Sequence, residues 1–147
     1  MAGGRQKIAY EAQAAIEFMY AAGRIGDRAY EVELRERESG RMMMVTPLVR
    51  QIVNDIQSGV SLPTISQTFH RSLIDLLFVA VKQAAADSGL KTVALSGGVF
   101  ANHLLLNGLL EALTKAGFTV LSHSLLPSGD GSIALGQAVI GRCHLAK

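Results

Sequence analysis

A single cysteine (Cys143), no tryptophan, three prolines and 5% aromatic residues mark a chain of 147 residues that is poor in several kinds of side chain. One thiol excludes an internal disulfide framework and a cysteine-cluster zinc site, and it fits a reducing compartment, so a cytoplasmic location is expected. Charge of neither sign is in surplus: Lys and Arg number 14, Asp and Glu 12, for a net charge of +2. The basic residues are scattered, so no DNA-binding reading follows. Apolar runs are interrupted by charges, Gly or Pro, and the N-terminus has no signal-peptide core, so nothing is expected to target or span a membrane. What the chain does have is 49% hydrophobic residues. That suffices for one ordinary core, and residues 1–147 are expected to form a single domain.

The most informative stretch is residues 91–102, KTVALSGGVFAN. Its first five residues form a short apolar run with β-branched Thr92 and Val93, which suits a buried strand. Ser96, Gly97 and Gly98 end that strand abruptly. Paired glycines between a strand and a helix let the backbone turn sharply and let a ligand approach where a Cβ would clash. The helix expected over residues 103–116 would offer free N–H groups and a positive dipole end to a phosphate or nucleotide. A tight turn without any ligand accounts for the same residues, and both readings stand.

Elsewhere, residues 7–22 carry apolar side chains at helical spacing, with Glu11 in the first turn and Gly23 as a stop. Glu11 reads either as a dipole cap or as an acceptor for ligand hydroxyls. Residues 29–34 and 41–45, separated by Glu38, Ser39 and Gly40, read as a hairpin. Thr46 and Pro47 open a short amphipathic helix that stops at Gly59, and residues 61–63 repeat the start signal for a helix to about Ser88, capped by Gly89 and lying beside the strand. Met42, Met43 and Met44 read as apolar filler. His70 lacks partners at metal-ligand spacing and reads as a packed, hydrogen-bonded histidine. His144 is weak as a candidate, and His103 draws slightly more attention because it begins the helix after the glycines.

Gly117 releases the chain into a second buried strand at residues 118–121, completing a β-α-β unit. Such strands run parallel, so the glycine turn and the loop at residues 127–131 should lie along one edge, where ligands bind. Asp130 opens a final helix over residues 133–143, in which Ala134, Gly136 and Ala138 permit close packing. Its carboxylate reads as a helix cap or as a metal or phosphate-site ligand.

Four segments, YEAQAA (10–15), TFHRSL (68–73), LSGGVFANHLL (95–105) and GDGSIALGQA (129–138), resemble in order the C-terminal domain of the hydrogenase maturation carbamoyltransferases, HypF. That domain is similar to the tRNA threonylcarbamoyladenosine synthases. The resemblance implies an α/β fold: the second, ribonuclease-H-like half of an actin/Hsp70-like ATPase fold, with a helical insertion before the β-α-β unit.

By the same resemblance, Gly97 and Gly98 match the glycine pair that receives the adenine nucleotide, and Asn102 a nucleotide-contacting asparagine. Glu11 matches the acidic residue near ribose, and Asp130 a divalent-metal ligand. Ala12 stands where the family usually has Gly, and Ser128-Gly129 replaces a Pro-Asn-like approach to the aspartate. The other metal ligands of the family, a histidine pair on the first half, have no counterpart in this chain. The implied activity uses ATP and carbamoyl phosphate to make a carbamoyl-adenylate. The carbamoyl group then passes to a C-terminal cysteine of a partner protein. Cys143 is not that acceptor. The remaining N-terminal part of the enzyme and the acceptor protein are the implied partners, and an exposed mating surface could drive dimerisation of the isolated chain. A nucleotide-binding or interaction module without transfer activity, and half of a sugar-kinase-like enzyme, are the alternatives.

Overall fold

Leucines at four-residue spacing place Leu105, Leu109 and Leu113 on one side of a helix, where they are 3%, 1% and 0% exposed. Around that stripe a computed structural model describes residues 7–37 and 40–145. The expectations for residues 1–6, and for Glu38 and Ser39 in the hairpin break, lie outside the described residues. The element order is α1 (Gln13–Ala22), β1 (Glu33–Arg37), β2 (Gly40–Met44), α2 (Thr46–Gln57), α3 (Leu62–Ser88), β3 (Thr92–Leu95), α4 (His103–Lys115), β4 (Thr119–Ser122) and α5 (Ile133–Leu145). Single 3-10 turns at Gly98–Ala101 and Asp130–Ser132 precede α4 and α5.

The class is mixed α/β. Strands β3 and β4 pair in parallel from Thr92 opposite Thr119 to Leu95 opposite Ser122, with α4 as the connection. One face of this ribbon is covered by α3 and α4, whose Ile74, Leu105, Leu109 and Leu113 form the core with Leu95. Burying each such side chain contributes about 1.5–3 kcal/mol. Helix α3 therefore lies beside the strand, as its apolar face predicts. Its limits follow local chemistry: the Ser61 hydroxyl accepts from the Thr64 amide, and Gly89 ends it with φ 72.

Helices α3 and α4 cross at Gly108. A Cβ there would stand 2.3 Å from Cδ1 and 3.1 Å from Cγ1 of Ile74, so only the missing side chain lets the two backbones approach this closely. Helix α1 lies on α3, and its Met19 and Ala22 meet Leu104 of α4 in a second, smaller cluster.

Several sequence expectations shift. Helix α1 starts at Gln13, six residues later than expected. The segment before it is a turn closed when the Ala9 amide donates to Gln13 Oε1 (2.7 Å), and Ala12 adopts a left-handed conformation, φ 60 and ψ 8. Glu11 accordingly lies in this turn, outside the helix. Strand β1 begins at Glu33, because residues 24–32 are taken by a strap across α2 and α3. In that strap Arg28 grips Asp55 with both terminal nitrogens (2.7 and 2.9 Å), Tyr30 donates its hydroxyl to Asp55 (2.8 Å), and the Tyr30 amide donates to the Ser72 hydroxyl (2.7 Å). The hairpin itself forms, with Glu33 opposite Met44. Helix α2 starts at Thr46 with Val45 in the cap position and no side-chain cap.

The largest departure concerns burial. Of the four residues of β3 only Leu95 is buried, and none of β4 is. Helix α5 buries none of its residues, leaving Ile133, Leu135, Val139, Ile140 and Leu145 exposed, so the close packing expected at Gly136 does not occur. Parallel strands are ordinarily covered on both faces. The described residues supply one covering layer. Among the described residues, no helix is long and apolar enough to cross a membrane.

Candidate nucleotide edge

The C-terminal ends of β3 and β4 are stitched together. The Gly97 amide donates to the Ser128 carbonyl (2.8 Å), and Ser96 Oγ lies 2.8 Å from His123 Nε2. A Cβ on Gly129 would come 3.5 Å from the Gly98 Cα. Two loops predicted to share an edge thus touch, and the Ser128-Gly129 approach to Asp130 runs along the glycine turn.

Gly97 has φ 107 and ψ 159, a backbone that side-chain-bearing residues rarely adopt. Around both Gly97 and Gly98 the space a Cβ would occupy is open to at least 4 Å. The turn therefore presents bare backbone at the carboxyl end of a parallel sheet, the position where ligands enter open α/β sheets. The first N–H groups of the 3-10 turn after it have no partner within that turn.

The expectation that α4 itself offers free N–H groups does not hold. Asn102 is the N-cap of α4. Its Oδ1 accepts from the amides of Leu104 (3.1 Å) and Leu105 (3.3 Å), and its carbonyl accepts from Leu106 (3.0 Å). Its Nδ2 lies 2.9 Å from Nε2 of His70. Asn102 thus sits directly behind the glycine turn, with its carboxamide engaged at both ends.

His70 is packed and hydrogen-bonded, as its sequence context suggests. Only 1% exposed, it holds its Nδ1 2.7 Å from the Ser66 carbonyl and stacks on Phe18 with ring centroids 5.8 Å apart. Burial lowers its pKa below the usual histidine value. Its pairing with Asn102 was not legible in sequence, because the two residues come from different helices. His103 stands against the Tyr20 ring at 5.8 Å. His123, which no motif singled out, is the histidine that reaches the edge.

Asp130 is exposed and lies in the 3-10 turn before α5. Among the described residues its carboxylate accepts no hydrogen bond, so the capping role has no bond to support it; the turn is held instead by Ser132, whose hydroxyl donates to the Gly129 carbonyl (3.1 Å). No group of three or more His, Cys, Asp or Glu among the described residues could hold a metal. The donor set of the described residues alone therefore does not fit a metal. Glu11 is exposed, and no hydrogen bond or ion pair among the described residues ties it to the edge.

The hollow between the strand ends, lined by Ala94, Ser96, Leu121 and His123, measures about 180 Å³. Ligand pockets usually run to about 300–1,000 Å³. A hollow of about 440 Å³ between α3 and α4 is lined by Arg71, Asp75, His103 and Glu111, and none of Glu11, Gly97, Gly98, Asn102 or Asp130 lines it. The edge presents a floor and a corner for a ligand.

Comparison with known proteins gives the family of the chain. Residues 1–137 match the family described as the second subdomain of the carbamoyltransferase Kae1-like domain, HypF_C_2. The chain is 33% identical over 132 residues to carbamoyltransferase HypF of Synechocystis, a match covering 89% of this chain and 16% of that protein. It superimposes on the crystal structure of full-length HypF in the phosphate- and nucleotide-bound form with a TM-score of 0.87 and 34% identity, covering 97% of this chain and 19% of the other. The T. kodakarensis HypF structure gives a TM-score of 0.79 at 25% identity, covering 98% and 18%. The chain thus spans less than a fifth of the length of these relatives, and within that span it belongs to the carbamoyltransferase HypF family, as the second subdomain of the Kae1-like domain.

Proposed function

We propose that this chain supplies the nucleotide-facing wall of a HypF-type carbamoyltransferase. In this reading the Gly97-Gly98 turn, backed by Asn102, receives the adenine nucleotide, ATP or the carbamoyl-adenylate made from it with carbamoyl phosphate, and Glu11 lies toward the ribose. The carbamoyl carbon then bonds to the C-terminal cysteine sulfur of an acceptor protein, its bond to the adenylate phosphate oxygen breaks, AMP leaves and the thiol proton is released. The product serves [NiFe] hydrogenase maturation in the cytoplasm. Holding the nucleotide in position is the contribution of this chain to the rate. Asp130 is the one carboxylate it would contribute to a divalent-metal site completed elsewhere, and no step is routed through that metal.

The observation that carries the reading is the bare turn at Gly97, held open at the end of a parallel sheet by its bond to Ser128. The finer fold assignment goes with it: a single domain forming one ribonuclease-H-like half of an actin/Hsp70-like fold. Support comes from the uncovered α5 and the outer strand faces, which suit burial against the remaining N-terminal part of the enzyme.

The test is a chimera in which this chain replaces the matching segment of the Synechocystis enzyme. Calorimetric titration with ATP should detect binding, and Gly98→Val should weaken it at least about tenfold with the circular dichroism spectrum unchanged. Absence of binding, or indifference to Gly98→Val, overturns the reading. Metal analysis of Asp130→Ala in the same chimera should show depleted metal, and full metal content removes Asp130 from the site.

A further inference from the structure

We propose that His70 is a positioning residue for the nucleotide edge, holding the Asn102 carboxamide in one orientation and thereby fixing both the start of α4 and the end of the glycine turn. The inference rests on the reading of that edge as a nucleotide site, and deepens it.

The hydrogen-bond polarity leaves one arrangement. The Ser66 carbonyl, 2.7 Å from His70 Nδ1, only accepts, so Nδ1 carries the proton. In the neutral ring Nε2 then holds a lone pair, which accepts from Asn102 Nδ2 at 2.9 Å. Asn102 Oδ1 is left facing the amides of Leu104 and Leu105. Turning the carboxamide over would set its oxygen against the Nε2 lone pair and its NH2 against two N–H donors. Both ends would be wrong at once. An apolar side chain of similar size at position 70 would fill the same space and leave the carboxamide held at its oxygen end alone.

The consequence reaches the glycines through the backbone. The Asn102 amide donates to the Val99 carbonyl (3.1 Å), closing the 3-10 turn that begins at Gly98, and the Phe100 amide donates to the Gly97 carbonyl (3.1 Å). Asn102 is therefore the far post of the turn whose near post is Gly97. His70 braces it from α3.

The same polarity makes the brace sensitive to protons. A proton on Nε2 would point at the NH2 of Asn102, and the carboxamide could meet it only by giving up the two helix amides. The elements packed around the ring present Phe18 from α1, Ser66 and Phe69 from α3, and from α4 one titratable group, His103, whose charge further disfavours protonation. Burial keeps the ring neutral at ordinary pH.

Two measurements test this on the unmodified chain and on His70→Leu and His70→Gln. Hydrogen exchange at the Leu104 and Leu105 amides of the 147-residue chain reads the brace without any ligand; ATP titration of the Synechocystis chimera reads its effect on the site. His70→Leu should speed both exchange rates and weaken ATP binding, each about tenfold, the size expected for losing one buried hydrogen bond. His70→Gln should rescue both, since its amide can donate to Ser66 while its oxygen accepts from Asn102, and it should flatten the loss of ATP affinity expected of the unmodified protein as the pH falls below about 6.5, the ordinary histidine value, through the lower value of the buried ring. Should His70→Leu fail to fold, the pH profile of His70→Gln decides. Unchanged exchange in His70→Leu, or the same acid profile in His70→Gln, overturns the proposal. If the chimera binds no ATP while the exchange rates respond, the nucleotide reading falls and His70 is left as a support of α4 alone.

Discussion

Gly108 and Ile74 occupy the point where α4 and α3 come closest, and the hydrogen on the glycine Cα is all that fits between them. Ile74 is buried, so its side chain has little room to withdraw. Gly108→Ala should therefore destabilise the chain by about 1–3 kcal/mol despite the better helix propensity of alanine. Ile74→Val removes the nearest methyl and should cost about 1 kcal/mol alone. Combined, the two changes should be less damaging than the sum of the singles. Urea denaturation of the four proteins gives the coupling, and strict additivity would mean that the helices separate freely at this point.

Ala12 offers the opposite experiment. Its left-handed conformation costs roughly 1–2 kcal/mol for a residue with a Cβ, part of which glycine gives back by loosening the unfolded chain. Ala12→Gly should raise stability by about 0.5–1 kcal/mol. A lower melting temperature in the variant would show that the turn before α1 is not set by this residue.

Asp55 joins the strap to α2. Its side chain is 13% exposed and receives two bonds from Arg28 and one from Tyr30. Asp55→Ala should cost about 2–3 kcal/mol, because charged hydrogen bonds are lost and the Tyr30 hydroxyl loses its acceptor. The Arg28 guanidinium holds the Asp55 pKa below its ordinary 3.8, while burial and then Asp55 push the Tyr30 phenol above its usual range. The sign follows: stability from Asp55 is fully present above about pH 3.8 and is lost as pH falls through the lower folded value. Melting curves of the unmodified chain should decline in that acid window. The decline should be shallower in Asp55→Asn, whose side chain does not titrate.

Much of this architecture was legible in the sequence. Ser61, Pro63 and Gly89 announced the limits of α3, because such signals act within a few residues. The late start of α1 was hidden, since it depends on Gln13 folding back to the Ala9 amide and on an alanine taking a glycine-like conformation. The end of the strap, residues 29–32, read as strand for a similar reason: its alternating pattern is answered by partners such as Ser72, which binds the Tyr30 amide from far away in sequence. At the edge, the glycine pair and its meeting with the Asp130 loop could be foreseen from β-α-β logic. The partners of Asn102 could not, because His70 belongs to another helix.

Helix α5 yields a prediction about association. Its Val139 and Ile140 are 55% and 61% exposed and lie with Ile133 and Leu135 on a helix that buries none of its described residues. The isolated chain should self-associate as concentration rises. Light scattering across a dilution series should show this, and Val139→Lys with Ile140→Lys should abolish it while leaving the melting temperature of the body nearly unchanged. Persistent association in the double variant would assign the contact to another surface, such as the open faces of β3 and β4.

The small cluster of Met19, Ala22 and Leu104 has a consequence for the order in which the chain is made. Helix α1 is synthesised before α4, and the leucine that completes its cover lies roughly 80 residues downstream, on the order of 4–16 s of synthesis at typical elongation rates. During that interval Met19 and Ala22 lack the Leu104 side chain that completes their cluster. Strands β3 and β4 have no such wait, since α4 lies between them and brings them together as soon as it forms. The C-terminal unit can thus assemble from its own neighbours, whereas the N-terminal helix must be kept from straying until they arrive.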